Sequence, residues 1–354
     1  MGKLTFLGLE HLPSGFAAGT YDKGYGLIHA PFPFRFNTFT SYRDRYWYAQ
    51  DGWMVSDQTG GNTFAWVNLP ADYVMTAAAK RLIMGMRLKN TTGYNLTWSD
   101  TTLAMAALGS GVAGGKTTLF SLFNPVDIKL ALRTEAYVEL DIDLTTGLVK
   151  RWANGKPISS VTITGTQLTA LQNRAFEFSF QNNQNLCTPQ IRDIYFLEVL
   201  DEDKLITRLG PVRIKRAALD TAAGNGWTAG KGPTLKDDLI SAVNSNTAIN
   251  APVIASPEPP TPLQISYNVG SVADTDRIVA LALTTGLVKS DSNAATVKAS
   301  ATLDQNSSDF GSAPVGTAFS LQYPFSPLKR APGNRSWTAA RLKQAQFTLL
   351  LQRG

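Results

Sequence analysis

The stretch that most constrains this chain is Ala136-Tyr137-Val138-Glu139-Leu140-Asp141-Ile142-Asp143-Leu144. Val138, Leu140, Ile142 and Leu144 alternate strictly with Glu139, Asp141 and Asp143. Successive side chains of a strand point to opposite faces, so a period of two dictates a β-strand with one apolar face. The three carboxylates are then expected on the other, solvent-facing side. The same period recurs in Lys80 to Leu88, with Leu82, Met84, Met86 and Leu88 on one face. It recurs in Arg174 to Phe180, with Phe176, Phe178 and Phe180 inward, and a further strand is expected from Ile191 to Leu200. Turn signals separate these runs: Thr145-Thr146-Gly147, Ala153-Asn154-Gly155-Lys156 and Thr164-Gly165-Thr166. Asn-Gly supplies the positive φ angles that a tight hairpin needs. Short strands at near-regular spacing predict a mainly β fold with a β-sandwich at its centre.

Helical patterning is confined to two short segments. Thr234 to Val243 follows Pro233 and places Leu235, Leu239 and Val243 on one face. Ala339 to Gln344 follows two candidate caps, Ser336 and Thr338, and precedes an apolar strand from Phe347 to Leu351. Between these segments lie Pro252, Pro257, Pro259, Pro260 and Pro262, a polyproline-like stretch that cannot sit inside a sheet. These features divide the chain into a sandwich with an Arg/aromatic-rich N-terminal segment (1–215), a connector with a short helix and the Pro-rich stretch (216–262), and a second, smaller β module (263–354). Leu-Thr-Thr-Gly-Leu-Val-Lys occurs at 144–150 and again at 283–289. The flanks do not align, so two similar turns are expected rather than a duplicated domain.

Composition removes most chemistries. One cysteine, Cys187, excludes an internal disulfide framework and a cysteine-rich zinc site. The two histidines, His11 and His29, lie at the N-terminus and leave no Ser-His-Asp arrangement in view. Ser110-Gly111-Val112-Ala113-Gly114-Gly115-Lys116-Thr117 nearly matches a phosphate-binding loop. That loop must open a helix, and the following Thr118 to Asn124 is a poor helix start, so a glycine-rich connection between strands is expected. Glu139 and Asp141 have a spacing that a glycosidase could use, but carboxylates in a row on a strand are more simply its wet face. No catalytic, cofactor-binding or metal-binding residue is expected. No apolar run is long enough to span a membrane, and the start, MGKLTFLGLEHLPSG, lacks a signal-peptide core. Synthesis and folding in a reducing cytoplasm are expected.

Two segments read as contact surfaces. Tyr42, Arg43, Arg45, Tyr46, Trp47 and Tyr48 form a dense Arg/aromatic run of the kind enriched at protein–protein hot spots. Trp47 and Trp53 are the candidates for stacking on a sugar ring. From Gly311 onward the chain has six basic residues, Lys329, Arg330, Arg335, Arg341, Lys343 and Arg353, and no acidic one. Lys329, Arg330 and Arg335 are expected to project from a loop toward an adjacent subunit. Arginines and aromatics are not interleaved there as a nucleic-acid surface requires, so no nucleic-acid partner is expected.

Glu139 to Asp143 and Gly147-Leu148-Val149-Lys150-Arg151-Trp152-Ala153-Asn154-Gly155-Lys156-Pro157-Ile158 together resemble the paired strands of concanavalin-A-like, laminin-G-like jelly rolls. Arg192-Asp193-Ile194-Tyr195-Phe196-Leu197-Glu198, with Leu209-Gly210-Pro211-Val212-Arg213-Ile214, resembles a pattern of tailed-bacteriophage virion proteins. There a "D-x-Y" strand closes the jelly roll and a "L-G-x-V-R-V" strand leads into a second module. Trp227 after a glycine turn, a strand from Asp274 to Leu283, and Trp337-Thr338 before a terminal helix and strand extend the likeness. The resemblance implies a non-enzymatic virion component, at the tail or near it (fibre, collar or baseplate), that contacts copies of itself and other phage structural proteins. A capsid decoration protein and a lectin-like module for a host-surface glycan are the alternatives.

Overall fold

The computed structural model describes residues 2–8, 17–18, 35–40, 47–56, 63–68, 75–90, 96–97, 101–107, 117–121, 129–130, 135–163, 168, 176–182, 189–201, 208–228, 234, 236–237, 261–270, 272–283, 285–287, 291–317, 320–322 and 327–353. The chain divides into two units, the first ending at Ile214 and the second running from Lys215 to Gly354.

The first unit is a β-sandwich of antiparallel sheets. The larger sheet runs in the order Lys156–Thr162 (β14), Leu148–Ala153 (β13), Glu135–Asp143 (β12), Ala79–Asn90 (β7), Pro189–Leu200 (β16), Trp53–Ser56 (β5), Trp47–Gln50 (β4) and Ala17–Ala18 (β2). Leu4–Leu7 (β1) also pairs with β16. The second sheet runs Thr117–Ser121 (β10), Thr101–Ala107 (β9), Phe176–Asn182 (β15), Thr63–Asn68 (β6) and Arg35–Thr40 (β3). Leu96–Thr97 (β8) and Lys129–Leu130 (β11) form a two-stranded pair. The mainly β class, sandwich first and smaller β module with a short helix second, is as the sequence predicts. The side chains of Phe176, Phe178 and Phe180 lie outside the described residues, as do His11, His29, Cys187, residues Ser110 to Lys116 of the glycine-rich motif and the prolines from Pro252 to Pro260.

Several local expectations are met for the reasons given. Asn154 (φ 50°) and Gly155 (φ 80°) make the left-handed turn that joins β13 to β14. Thr117 of the glycine-rich motif opens a strand paired antiparallel with β9, not a helix. One expectation fails at the repeat. In the first copy, Asp143 Oδ1 accepts the amides of Thr145 (2.8 Å) and Thr146 (2.9 Å) and so builds the turn. In the second copy the equivalent position is Ala282, which has no acceptor. There Thr285–Leu287 is a strand (β19), paired with Ser320–Gln322 (β22).

In the second unit a five-stranded sheet runs Ala218–Ala223 (β17), Leu263–Asn268 (β18), Gln346–Arg353 (β23), Ala295–Leu303 (β20) and Asn306–Pro314 (β21). The C-terminal strand is thus central, with Leu349 opposite both Leu263 and Ala299. The small side chains of Ala299 and Ala301, both fully buried, leave room for Phe310 and Phe347, whose ring centres stand 6.2 Å apart. Tyr267 meets Phe347 edge-on at 5.2 Å. The helix Ala339–Gln344 (α1) is capped by Thr338, whose hydroxyl accepts the Arg341 amide. Asp274 to Leu283 is not a strand. Asp276 accepts the Ala273 amide in a turn, and the segment joins no ladder beyond one bridge, Leu281 to Leu328.

Candidate functional site: a buried polar clasp

The strand at the centre of the sequence argument departs from expectation in one respect. β12 alternates as predicted, but both of its faces are buried. Glu139 is 0% exposed and Asp141 6%. The carboxylate face is therefore not the wet side of the sheet. It is covered in part by Arg208 to Ile214, the last residues of the first unit, which belong to no strand.

The register assembles this face. Glu139 lies opposite Gly85 of β7, and Gly85 lies opposite Tyr195 of β16. A Cβ at Gly85 would lie 2.5 Å from Tyr195 Cε1 and 2.7 Å from the Tyr137 hydroxyl. Only glycine lets the two tyrosines lie across β7, where their hydroxyls meet at 2.9 Å. Tyr195 then donates to Glu139 Oε1 at 2.8 Å. The same oxygen accepts the Leu209 amide at 2.9 Å and the Gly210 amide at 3.1 Å. Arg208 stands 3.5 Å from Glu139 Oε2, with its guanidinium over the Trp152 ring at 5.2 Å. The Val212 backbone offsets part of the burial that raises the Tyr137 hydroxyl.

A second carboxylate holds the far end of this strap. The register of β16 against β7 shifts between Arg192 and Tyr195, and Asp193, with φ 52°, sits at that irregularity. The bulge re-aims its side chain, whose Oδ1 accepts the Ile214 amide at 3.0 Å. Three guanidiniums surround Asp193 Oδ2: Arg87 at 3.1 Å, Arg192 at 3.7 Å and Arg213 at 3.7 Å. Arg192 also pairs with Glu135 through two hydrogen bonds of 3.1 and 3.0 Å. Burial pushes the Asp193 carboxyl above its ordinary value, and the arginines and the Ile214 amide oppose this. Elsewhere on the sheet, Arg81 Nε donates to Asp141 Oδ1 at 3.0 Å, and the fully buried Glu198 accepts the Thr76 amide at 3.1 Å.

Chemically, the clasp orders chain. The polar groups of Glu139 and Asp193 are engaged by backbone amides and guanidiniums, and Glu139 has no route to solvent. The motif residues Asp193, Tyr195 and Leu209 to Ile214 come together in this one network. Tyr137, Gly85 and Arg208 complete it and were not singled out from sequence. The hint available there was an apolar-sized Tyr within a carboxylate-bearing face, with a glycine inside a neighbouring strand.

The other sequence-derived candidates are elsewhere. Arg43, Arg45 and Tyr46 lie outside the described residues. Trp47 and Tyr48 pair through β4 with Ser56 and Val55, and their side chains lie outside the described residues. Trp53 is 4% exposed. Arg192 lies over its ring at 4.2 Å and Lys89 at 5.3 Å. In the second unit Lys329 is half-buried and Arg330 exposed. Arg335 bridges Asp304 at 2.8 Å. Among the described residues no helix is long and apolar enough to cross a membrane.

No family model matches the chain, and no curated protein matches it. Solved structures of similar strand arrangement include a sialidase, at 10% identity and TM-score 0.32 over 48% of this chain and 17% of that one. The chain thus spans less than a fifth of the sialidase's length. The carbohydrate recognition domain of Emp46p is similar at 10% identity and TM-score 0.33, over 48% of this chain and 89% of that one. Lectin II from Ulex europaeus is similar at 12% identity and TM-score 0.32, over 49% and 95%.

Two outcomes follow from the clasp. Glu139→Ala strands two amides, the Tyr195 hydroxyl and Arg208, and is expected to destabilise the first unit by about 3–5 kcal/mol. Glu139→Gln keeps an acceptor oxygen and should lose about 1–2 kcal/mol; urea denaturation measures both. Burial, with the nearby Glu139 charge adding, raises the Tyr137 and Tyr195 hydroxyls well above their ordinary range. Above pH ~10 an unfolded chain releases these protons while the folded one keeps them. Stability should therefore fall as pH rises beyond that point, by about 1.4 kcal/mol per pH unit for each tyrosine. Tyr195→Phe should make the alkaline slope shallower, read from denaturation midpoints between neutral and alkaline pH.

Proposed function

We propose that this chain is a non-enzymatic structural component of a tailed-phage particle, placed at the tail or next to it and contacting copies of itself and other structural proteins. One observation carries the reading. The two motifs by which the sequence resembles virion proteins, Asp193 to Tyr195 and Leu209 to Ile214, are joined by the Ile214 to Asp193 hydrogen bond and by Glu139 between Tyr195 and the Leu209 and Gly210 amides. In the resemblance these motifs close the sandwich and lead into a second module. Here they clasp the chain where the first unit ends. The same network supports the absence of glycosidase chemistry at Glu139 and Asp141. A glycosidic bond must be flanked by both carboxylates in an open cleft, whereas Glu139 is sealed and Asp141 is held by Arg81.

A glycan platform at Trp53 draws no support from its ring, which is buried beneath Arg192. Mass spectrometry of purified particles tests the proposal, with tails separated from capsids. The chain is expected in the tail fraction. Recovery with capsids alone would make it a decoration protein, and absence from particles would overturn the virion role.

A further inference from the structure

The basic excess of the C-terminal region is sorted by the fold into engaged and open charges. Arg335 is neutralised by Asp304 at 2.8 Å, across the turn between β20 and β21. Arg330 and Arg341 are not. Arg330 Nη1 donates to the Ser336 hydroxyl at 3.2 Å, and Arg341 Nη1 donates to the Ser336 carbonyl at 2.7 Å. Two like charges thus meet at one exposed residue. Among the described residues neither has a carboxylate within ion-pair distance, and none of residues 311–354 is acidic.

This convergence is built in. Thr338 caps α1 and starts the turn that carries Arg341. Ala331 pairs with Arg335 through a tight turn in which Gly333 (φ 75°) and Asn334 (φ 59°) adopt left-handed backbone. That turn brings Arg330 back to Ser336. Trp337 anchors the segment, 3% exposed, with its Nε1 donating to the Leu328 carbonyl at 3.0 Å. Each guanidinium uses one nitrogen on Ser336 and retains further donors, and the Ser336 hydroxyl, which accepts from Arg330, still has a proton to give.

We propose that Arg330 and Arg341, meeting over Ser336, form a fork that seats a side-chain carboxylate from an acidic protein surface. Guanidiniums bind carboxylates through paired N–H donors, and an oxyanion here would relieve the repulsion between the two cations. An acidic protein fits better than a nucleic acid. Among the described residues the aromatic beside the fork, Trp337, is buried and offers no ring on which a base could stack. The choice of a protein carboxylate rests on the virion reading, in which the partner is a neighbouring subunit; the fork itself does not.

The test uses the full chain and a fluorescein-labelled hexaglutamate peptide, with fluorescence anisotropy as the readout at low and physiological salt. The peptide is expected to bind, more weakly as salt rises. Arg330→Gln and Arg341→Gln should each weaken binding by roughly two- to fivefold, as an exposed ion pair allows. Lys156→Gln, an exposed charge in the first unit, should leave it unchanged. Arg330 makes one exposed hydrogen bond, so Arg330→Gln keeps the test decisive should Arg341→Gln fail to fold. Absence of peptide binding, equal weakening by Lys156→Gln, or tighter binding of oligothymidine of the same charge would each overturn the proposal. Particle mass spectrometry is separate: a chain missing from particles that still binds hexaglutamate through Arg330 loses the virion role and keeps the fork.

Discussion

The first unit depends on a carboxylate that has no access to water. Glu139 gathers a tyrosine hydroxyl and two backbone amides on a single oxygen and faces a guanidinium with the other. Oε1 takes three hydrogen bonds, whereas Oε2 takes none among the described residues and has the Arg208 guanidinium at 3.5 Å. A buried charge is costly unless it has such partners. That requirement reaches outward. Tyr195 must lie across β7, so position 85 must be glycine. The Tyr137 hydroxyl must meet Tyr195. Leu209 and Gly210 must come down onto the sheet, although no neighbouring strand pairs with them.

Arg208 to Ile214 therefore lies on the sheet face as a strap whose amides are accepted by side chains: Glu139 for residues 209 and 210, and Asp193 for 214. The acceptors stand on the sheet's face, not along a sheet edge. Asp193 can serve only because a bulge in β16 turns it there. Its arginines compensate a second buried charge, and Arg192 also covers Trp53, which links the clasp to β5. Truncating one member leaves several groups unpaired, so these positions act as a unit.

Much of this was legible in the sequence, for identifiable reasons. Period-two alternation located β7, β12 and β15, because strand geometry writes itself into every second residue. Asn154-Gly155 located a hairpin, because few residues tolerate positive φ. Thr338 and the apolar tail located α1 and β23. The solvent exposure of Glu139 and Asp141 was misread, because alternation reports two faces and says nothing about what lies on the polar one. The cover comes from residues some seventy positions downstream, a tertiary fact with no local signature. The repeated Leu-Thr-Thr-Gly-Leu-Val-Lys misled for the opposite reason. The determinant of its turn is Asp143, one residue outside the repeat.

The central claim is that buried carboxylates, not a strand ladder, hold the strap in place. Amide hydrogen exchange of Leu209, Gly210 and Ile214 tests it most directly. The account predicts exchange within about an order of magnitude of the β7–β12 ladder amides in the wild type, accelerating at Leu209 and Gly210 in Glu139→Gln. Exchange in the wild type as fast as that of the exposed turn at Asn225 and Gly226 would contradict it.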